Sequence, residues 1–260
     1  MSEANAKLEI VSEWCRANKL LLNPNKSEFL VISNRFIPDN LNLNLSGQSI
    51  KCVSSVRYLG VHLDSKLKFQ GHIEYVESRL SQLCGVAYRL KSKLNLSAAK
   101  NFYYACVYSV LSYAVIAWGG FSVCSQYCSG LNSLHLRIVK NVFGGFRGSD
   151  TGCIFKSFGL LKFPEIYRLK IATYMYKMLT NADYPTFRNS IQLRRPTHRY
   201  PTSRSTSYVV PFPRTEAIRG NFEHQSVVVW NSIPETIRNL GSTQKFKKAL
   251  IKNFIEGYVT

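Results

Sequence analysis

The sequence predicts an α+β protein, with a small antiparallel sheet and one helix at the amino end, then a mostly helical bundle and a basic carboxyl-terminal region. Before residue 64 apolar residues alternate with a period of two in short runs, and after it they recur every three or four residues, the periods of strands and helices. Charge changes at the same point, because residues 1–64 carry seven basic and six acidic side chains and residues 65–260 carry twenty-seven and nine. We therefore expect three parts: 1–64, a helical 65–180 and a basic 181–260.

The amino-terminal part is expected to hold one helix and about four short strands. Apolar spacing predicts the helix over residues 5–21, and the apolar run 28–33 predicts a buried strand. Leucine alternates with asparagine over 40–45, which together with the run 50–53 predicts a β-hairpin. Residues 56–63 are expected to add a further strand to this sheet. The inner face of the helix is expected to carry Leu8, Val11, Trp14 or Cys15, and Asn18.

Helices are expected to fill the second part. The 3.6-residue period predicts helices over 72–91, 131–143 and 154–178. Another helix over 97–118 would begin with Ser97 as its N-cap. It would end at Gly119-Gly120.

The carboxyl-terminal part is predicted to start with an extended basic segment. Residues 188–214 contain six arginines, four prolines and no acidic residue, a composition that does not favour helix. The run Ser232-Ile-Pro-Glu235 predicts a capping box. The four-residue spacing of Phe246, Leu250 and Phe254 predicts a terminal helix.

The charge predicts a polyanionic partner. A formal net charge of +19 makes a compact chain repel itself, and RNA, DNA or an RNA–DNA hybrid would compensate it. The alternative is a solvated surface that is merely rich in lysine and arginine. No small-molecule substrate is evident from the sequence. A further alternative is a single-span membrane protein, because residues 102–121 are uncharged and long enough to cross a bilayer; tyrosines, serines and a Gly-Gly pair dilute this run.

The cysteines predict an intracellular protein, in the nucleus or the cytoplasm. Their number, seven, is odd and their spacing does not repeat, which is typical of free thiols in a reducing compartment. The amino end shows no secretory signal. A zinc site remains an alternative, but its spacing matches no zinc-knuckle pattern, and we expect no metal. Its four ligands would be Cys124, Cys128, His135 and Cys153.

Three motifs resemble reverse transcriptases of jockey-type non-long-terminal-repeat retrotransposons, in the region after the catalytic core. The first is Trp14-x3-Asn18-x-Leu-x-Leu-Asn23-x2-Lys26-Ser27. The second is Tyr58-Leu59-Gly60-Val61-x-Leu63-Asp64, followed by His72-Ile73. The third is Trp230-Asn231-Ser232-Ile233-Pro234, with Phe246-Lys247 downstream. The resemblance implies the end of the palm, the thumb and the carboxyl-terminal region of such an enzyme.

The resemblance also implies roles for single residues. Lys26 matches a lysine that lies near the incoming nucleotide, where a cation would bind the triphosphate or protonate the leaving pyrophosphate; otherwise it is an exposed turn lysine. Tyr58, Leu59 and Gly60 match a primer-grip hairpin, although we expect Leu59 to lie in the strand core. In the thumb, the cations expected to hold template–primer phosphates are Arg89, Lys91, Lys93 and Lys100.

The chain lacks the catalytic motif of this family. No Phe/Tyr-Ala-Asp-Asp tetrapeptide occurs, and the four aspartates are far apart in sequence, whereas polymerisation needs aspartates that hold two metals. Mg²⁺ is therefore expected only for the full-length polymerase. The sequence predicts a fragment that binds nucleic acid without copying RNA. The alternative is a nucleic-acid-binding module that a host has retained.

Overall fold

A computed structural model describes residues 2–33, 35, 36, 38, 41–91, 93–124, 128–144, 150–180, 207–212 and 219–258. The predicted α+β class is confirmed, since short strands lie near the amino end and helices dominate the rest. The chain divides into two compact units, residues 1–72 and 73–260. Apart from 207–212, the predicted extended segment 188–214 lies outside the described residues.

The first unit begins with helix α1 (Ser2–Ala17) and a 3₁₀ turn at Pro24–Lys26. Five strands follow: β1 (Glu28–Leu30), β2 (Leu43–Leu45), β3 (Gln48–Val53), β4 (Ser55–Tyr58) and β5 (Val61–Asp64). β2 and β3 form the predicted antiparallel hairpin, with Leu43 opposite Ile50. β1 pairs with β3 in parallel, so this sheet is mixed and has the order β1-β3-β2.

The prediction that residues 56–63 form one more strand of that sheet is wrong. β4 and β5 make a separate antiparallel pair with Tyr58 opposite Val61. The chain reverses at Leu59-Gly60, where φ is 46° and 83°. Two consecutive positive φ values are typical of a type I′ turn, whose twist suits a hairpin. A leucine at its first position gave no turn signal in the sequence.

Helix α1 buries only part of the predicted face, namely Leu8 and Cys15. Trp14, 60% exposed, and Val11 point to solvent, and Asn18 lies beyond the helix end. The helix stops at Ala17, not at residue 21, because Lys19 adopts a left-handed conformation with φ of 59°. The inner face packs over the sheet core of Leu43, Leu45 and Ile50 and carries Ala4, Leu8, Ser12 and Cys15.

Helices make up most of the described residues of the second unit. Helix α2 (Gln70–Leu90) leads into it from the first unit. Then come α3 (Leu96–Phe102), a π-helical segment (Tyr103–Tyr108), α4 (Ser109–Ser112), α5 (Val115–Cys124), α6 (Cys128–Phe143), α7 (Thr151–Phe158), α8 (Phe163–Thr180), α9 (Phe222–Ser232), α10 (Glu235–Arg238) and α11 (Thr243–Glu256).

Helix α8 forms the centre of this unit and contacts α4, α5, α6, α9 and α11. Most of its side chains are buried, as expected for a helix surrounded by others. Trp118 of α5 stacks on Phe163 with ring centroids 5.6 Å apart, and Phe246 of α11 stacks on Tyr176 at 4.5 Å. Phe246 is fully buried, and removal of such a side chain costs about 3–5 kcal/mol.

The single helix predicted over 97–118 is interrupted. It begins at Leu96, and its cap is Asn95, whose side chain accepts from the backbone N–H of Ala98 at 2.8 Å; Ser97 is not the cap. A π-helical segment follows, and the helix ends before Ala114, where φ is 47°. The indole of Trp118 donates to the carbonyl of Tyr113 at 2.9 Å and so holds this corner.

Gly119 and Gly120 lie inside α5 and do not end a helix, contrary to the prediction. A Cβ atom on Gly119 would come within 2.7 Å of the Tyr167 ring, and one on Gly120 would meet the carbonyl oxygen of Gly220. The two glycines therefore let α5 approach α8 and the segment before α9 closely.

The predicted capping box is also wrong, because Ser232 is the last residue of α9 and donates back to the carbonyl of Val229 at 2.7 Å. Pro234 occupies the N-cap of α10 without a side-chain bond. The predicted terminal helix is present as α11. Within the part of the chain that the structure describes, no helix is both long and apolar enough to cross a membrane, and the run 102–121 is broken into several pieces.

Candidate nucleic-acid interface

Lys26 lies at the end of the 3₁₀ turn that leads into β1, and its side chain is exposed. Asn23 builds this turn: its side chain accepts from the N–H of Asn25 at 3.1 Å, and its carbonyl accepts from the Ser27 hydroxyl at 2.9 Å. Pro24 fixes the first φ of the turn. The backbone under Lys26 is thus well defined, and its ammonium group is accessible to a phosphate.

The tip of the β4–β5 hairpin exposes two large apolar side chains. Tyr58 is 62% exposed and Leu59 is 72% exposed, so the expectation that Leu59 lies in the strand core is wrong. Gly60 completes the turn with φ of 83°. An exposed leucine held in the left-handed region costs about 1–2 kcal/mol, and strain of this kind is often kept where a residue has a function.

The base of this hairpin is fixed to the start of α2 within the first unit. The Asp64 carboxylate accepts from three backbone N–H groups, those of Lys66, Lys68 and Phe69, at 2.9, 3.1 and 2.7 Å. The N–H of His62 donates to Nδ1 of buried His72 at 3.4 Å. Burial, together with nearby His62, lowers the pKa of His72 to about 4, so its ring is neutral at physiological pH.

A basic cluster lies at the carboxyl end of α2, in the second unit. It consists of Arg89, Lys91 and Lys93, which are all exposed. The turn after the helix orders them, because the N–H of Lys91 donates to the carbonyl of Tyr88 and the N–H of Lys93 to that of Leu90. The negative end of the helix dipole favours cations at this position. The structure therefore brings these three predicted residues together.

Lys100 lies separately, on α3, and is half-buried. It precedes Tyr104 by four residues and so shares a helix face with it. Tyr104 and Tyr108, four residues apart again, place their ring centroids 5.6 Å from each other. Nζ of Lys170, on α8, lies 5.6 Å from the centre of the Tyr108 ring. Lys100 thus belongs to a second surface in which lysines flank tyrosines.

The cations of both surfaces have no carboxylate partner among the described residues. The ion pairs found there join Lys7 to Glu3, Arg168 to Glu165 and Lys252 to Glu256. In the sequence, no acidic residue occurs between Glu77 and Asp150. An array of unpaired cations of this kind attracts phosphates over several ångströms.

His135, one of the four candidate zinc ligands, contacts other buried side chains. Its Nε2 is 2.9 Å from the hydroxyl of Tyr103, and its ring packs on Phe155. The side chains of Cys124 and Cys128 lie outside the described residues, and within the described ones no three His, Cys, Asp or Glu side chains converge as metal ligands.

Sequence reasoning missed several residues of the two surfaces. Tyr88, next to Arg89, is exposed and was not singled out. The spacing of Lys100, Tyr104 and Tyr108 would have revealed a shared face. Lys170 carries no local signal, since only the packing of α8 brings it to Tyr108.

The comparisons with known proteins agree with part of the resemblance. The chain is 28% identical over 117 residues to a probable RNA-directed DNA polymerase from transposon BS of Drosophila melanogaster; this covers 43% of the chain and 13% of that protein. It is 33% identical over 140 residues to a retrovirus-related Pol polyprotein from a type-1 retrotransposable element of Nasonia vitripennis, covering 52% of the chain and 35% of that protein.

The chain is similar in part to retrotransposon polymerases. It matches about a third or less of the length of these relatives. No protein-family model matches it. No solved structure matches it either.

Proposed function

We propose that this chain is the end of the palm, the thumb and the carboxyl-terminal region of a jockey-type retrotransposon reverse transcriptase, and that its function is to bind template–primer nucleic acid. The relatives named above are retrotransposon polymerases, and the order of the three sequence motifs supports the placement. The observation that carries the proposal is the basic cluster of Arg89, Lys91 and Lys93, which is exposed and free of carboxylate partners among the described residues.

Phosphates are the chemical groups that such a cluster suits best. Lysine and arginine side chains that neutralise phosphates release counterions, which gives an affinity that depends on salt and not on sequence. Tyr88 adds an exposed ring beside the cations. The cluster therefore fits contacts to the backbone of a duplex or hybrid, with no readout of the bases.

Two sites of the first unit, Lys26 and the tip of the β4–β5 hairpin, complete the proposed role. Lys26 would bind the triphosphate of an incoming nucleotide, and its exposed position on an ordered turn supports this. The hairpin tip at Tyr58, Leu59 and Gly60 would contact the primer strand. Its exposed side chains and positive φ values support a functional contact, since neither serves the core.

We further propose that these 260 residues alone do not synthesise DNA. The described aspartates have structural roles: Asp64 accepts three backbone N–H groups, and Asp150 caps α7 by accepting from the N–H of Gly152 at 2.7 Å. Asp39 and Asp183 lie outside the described residues. Two metals need several carboxylates in one place, so Mg²⁺ would be held by aspartates of the full-length polymerase.

A salt titration of binding tests the proposal. A labelled RNA–DNA hybrid should bind the whole chain at low salt, and its affinity should fall steeply between about 50 and 200 mM salt. The triple variant Arg89→Gln/Lys91→Gln/Lys93→Gln should bind more weakly to every sequence. The logarithm of the binding constant falls linearly with the logarithm of the salt concentration. For the triple variant this slope should be smaller by about 0.9 for each duplex phosphate that it no longer neutralises.

A matched control removes three cations from α1 and its end: Lys7→Gln/Arg16→Gln/Lys19→Gln. It changes net charge equally but leaves the cluster intact, so binding should stay close to that of the unchanged chain. Equal losses of affinity in both triple variants would show that net charge alone drives binding. No binding at low salt, or primer extension by this chain with Mg²⁺ and nucleotides, would overturn the proposal.

A further inference from the structure

The second surface holds two tyrosines between three lysines. We call it the tyrosine–lysine stripe, and it consists of Lys100, Tyr104, Tyr108, Lys170 and Lys247. Three separate helical elements contribute to it, namely the α3 and π-helical run, α8 and α11. All of them lie in the second unit. The stripe therefore depends on the packing of that unit and not on a single helix.

The tyrosines present faces that the core does not use. The neighbouring Tyr103 is fully buried, whereas Tyr104 is 48% exposed and Tyr108 is half-buried. The Tyr104 ring meets Tyr103 and Tyr108 in edge-on contacts, with interplanar angles of 80° and 62°. In each such contact the edge of one ring meets the face of the other, and the exposed part of the Tyr104 ring is what remains accessible to another planar group.

The tyrosines of the stripe lie in a π-helical segment. A π-helix is rare and occurs often at functional sites. Here it spans Tyr103–Tyr108, in which Tyr103 is buried, Tyr104 is exposed and Tyr108 is half-buried. The hydroxyl of Ser109 bonds back to the carbonyls of Ala105 and Cys106. It thereby satisfies acceptors where the regular helical pattern is interrupted.

Among the described residues, no ion pair joins the lysines of the stripe to a carboxylate. Lys170 is half-buried against the Tyr108 ring. Burial lowers its pKa, and the nearby charge of Lys247 lowers it further. No carboxylate of the described residues pairs with Lys170 or Lys247. Two lysines that repel each other beside an aromatic face would be stabilised by a phosphate placed between them.

We propose that the tyrosine–lysine stripe binds single-stranded nucleic acid, with an unpaired base stacked on Tyr104 and phosphates contacted by Lys100, Lys170 and Lys247, while the Tyr108 ring supports Lys170. Aromatic rings interleaved with cations are typical of single-strand sites, because every base has a face that stacks. Bases inside a duplex are already stacked and cannot use these rings. The inference rests on the proposed function and adds a substrate class that the α2 cluster, suited to phosphates alone, does not specify.

Two variants of one tyrosine separate stacking from folding. Tyr104→Leu keeps an apolar side chain but removes the ring, and it should weaken binding of a single-stranded oligonucleotide by about fivefold or more. Tyr104→Phe keeps the ring and should bind like the unchanged chain. Both should bind a blunt duplex of the same length with unchanged affinity. Tyr113→Ala, which removes an exposed tyrosine outside the stripe, is the matched control and should change neither affinity.

The lysines give an independent measurement. Lys170→Gln should lower the salt slope of single-strand binding by about 0.7 and leave the slope for the duplex unchanged. Thermal unfolding of each variant should match the unchanged chain, which shows that the fold is intact.

The outcomes distinguish this inference from the proposed function. If the Tyr104→Leu and Tyr104→Phe chains bind the single strand equally well, the stripe is not a stacking site, although the α2 cluster can still bind duplex. Equal losses of affinity for single strand and duplex would also overturn the inference. If the unchanged chain binds neither nucleic acid, the proposed function itself fails.

Discussion

The hydroxyl group of Tyr103 lies 2.9 Å from Nε2 of His135, and each of the two residues is only 1% exposed. The rings are stacked, with centroids 5.7 Å apart and an interplanar angle of 14°. This pair joins the π-helical segment to α6. Burial lowers the pKa of His135 to about 3, so the imidazole is neutral at physiological pH and shares a hydrogen bond with the tyrosine hydroxyl.

The buried neutral histidine predicts a loss of stability in acid. His135 has a pKa of about 3 in the folded chain and about 6.5 when unfolded. Below pH 6.5 the unfolded state therefore binds a proton at His135, whereas the folded state does not bind it until the pH is near 3. The free energy of unfolding therefore falls as pH decreases toward 3. The slope is at most about 1.4 kcal/mol per pH unit for one histidine. Urea unfolding above and below pH 6.5 measures it.

Two variants test the assignment to His135. His135→Phe should reduce this pH dependence of stability. The dependence that remains should come from His72, because burial lowers the pKa of that histidine to about 4. Tyr103→Phe should keep the pH dependence but lower the free energy of unfolding by about 1–3 kcal/mol, because a buried imidazole loses its partner. An unchanged pH dependence in His135→Phe would contradict the burial argument.

Local sequence patterns predicted where helices and strands lie better than they predicted which face of each element is buried. Helix α2 and the β2–β3 hairpin follow from spacing alone, since each is one regular run. On α1, Trp14 and Cys15 are adjacent, and only the sheet beneath the helix decides that the cysteine is buried and the tryptophan exposed. The turn at Leu59 could not be predicted, because a leucine there is unfavourable by itself.

The candidate interface could likewise be predicted only in part. Arg89, Lys91 and Lys93 are neighbours in sequence, so their clustering was predictable. Lys170 joins Tyr108 and Lys247 only because α8 packs between the segments that carry them. A sequence pattern contains no information on such a contact between distant helices.

The close approach of α5 predicts that Gly120→Ala strongly destabilises the second unit. A Cβ atom there would overlap the backbone carbonyl oxygen of Gly220, and a backbone atom cannot rotate away. We expect a loss of about 1–3 kcal/mol, typical of overpacking, measured by urea unfolding. Gly85→Ala is the matched control, since its Cβ meets nothing within 4 Å on exposed α2.

The control should be more stable than the unchanged chain. Alanine is favoured over glycine in an exposed helix by about 0.5–1 kcal/mol. If Gly120→Ala were neutral or stabilising as well, α5 would have room at this position and the packing described for it would be wrong.

The left-handed conformation of Leu59 predicts that a substitution at this position has opposite effects on stability and on nucleic-acid binding. Leu59→Asn suits the first position of a type I′ turn before glycine and should raise the free energy of unfolding by up to about 1 kcal/mol. If the hairpin tip contacts the primer strand, the same change should weaken hybrid binding, because it removes an exposed apolar contact. Binding and unfolding measured on the same sample decide this, and greater stability with unchanged binding would remove Leu59 from the interface.

The hydrogen bonds of the Asp64 carboxylate predict that this side chain stabilises the base of the β4–β5 hairpin. The carboxylate accepts from three backbone N–H groups of the loop before α2, all within 3.1 Å. Asp64→Ala would leave these donors to water, or unpaired in the case of part-buried Phe69, and should cost about 1–3 kcal/mol. Asp150→Ala, which removes a single cap bond at α7, should cost only about 1 kcal/mol. Urea unfolding compares the two variants.

A smaller loss of stability for Asp64→Ala than for Asp150→Ala would contradict this prediction. It would show that the loop after β5 does not depend on the Asp64 carboxylate, which would then be available for a functional role.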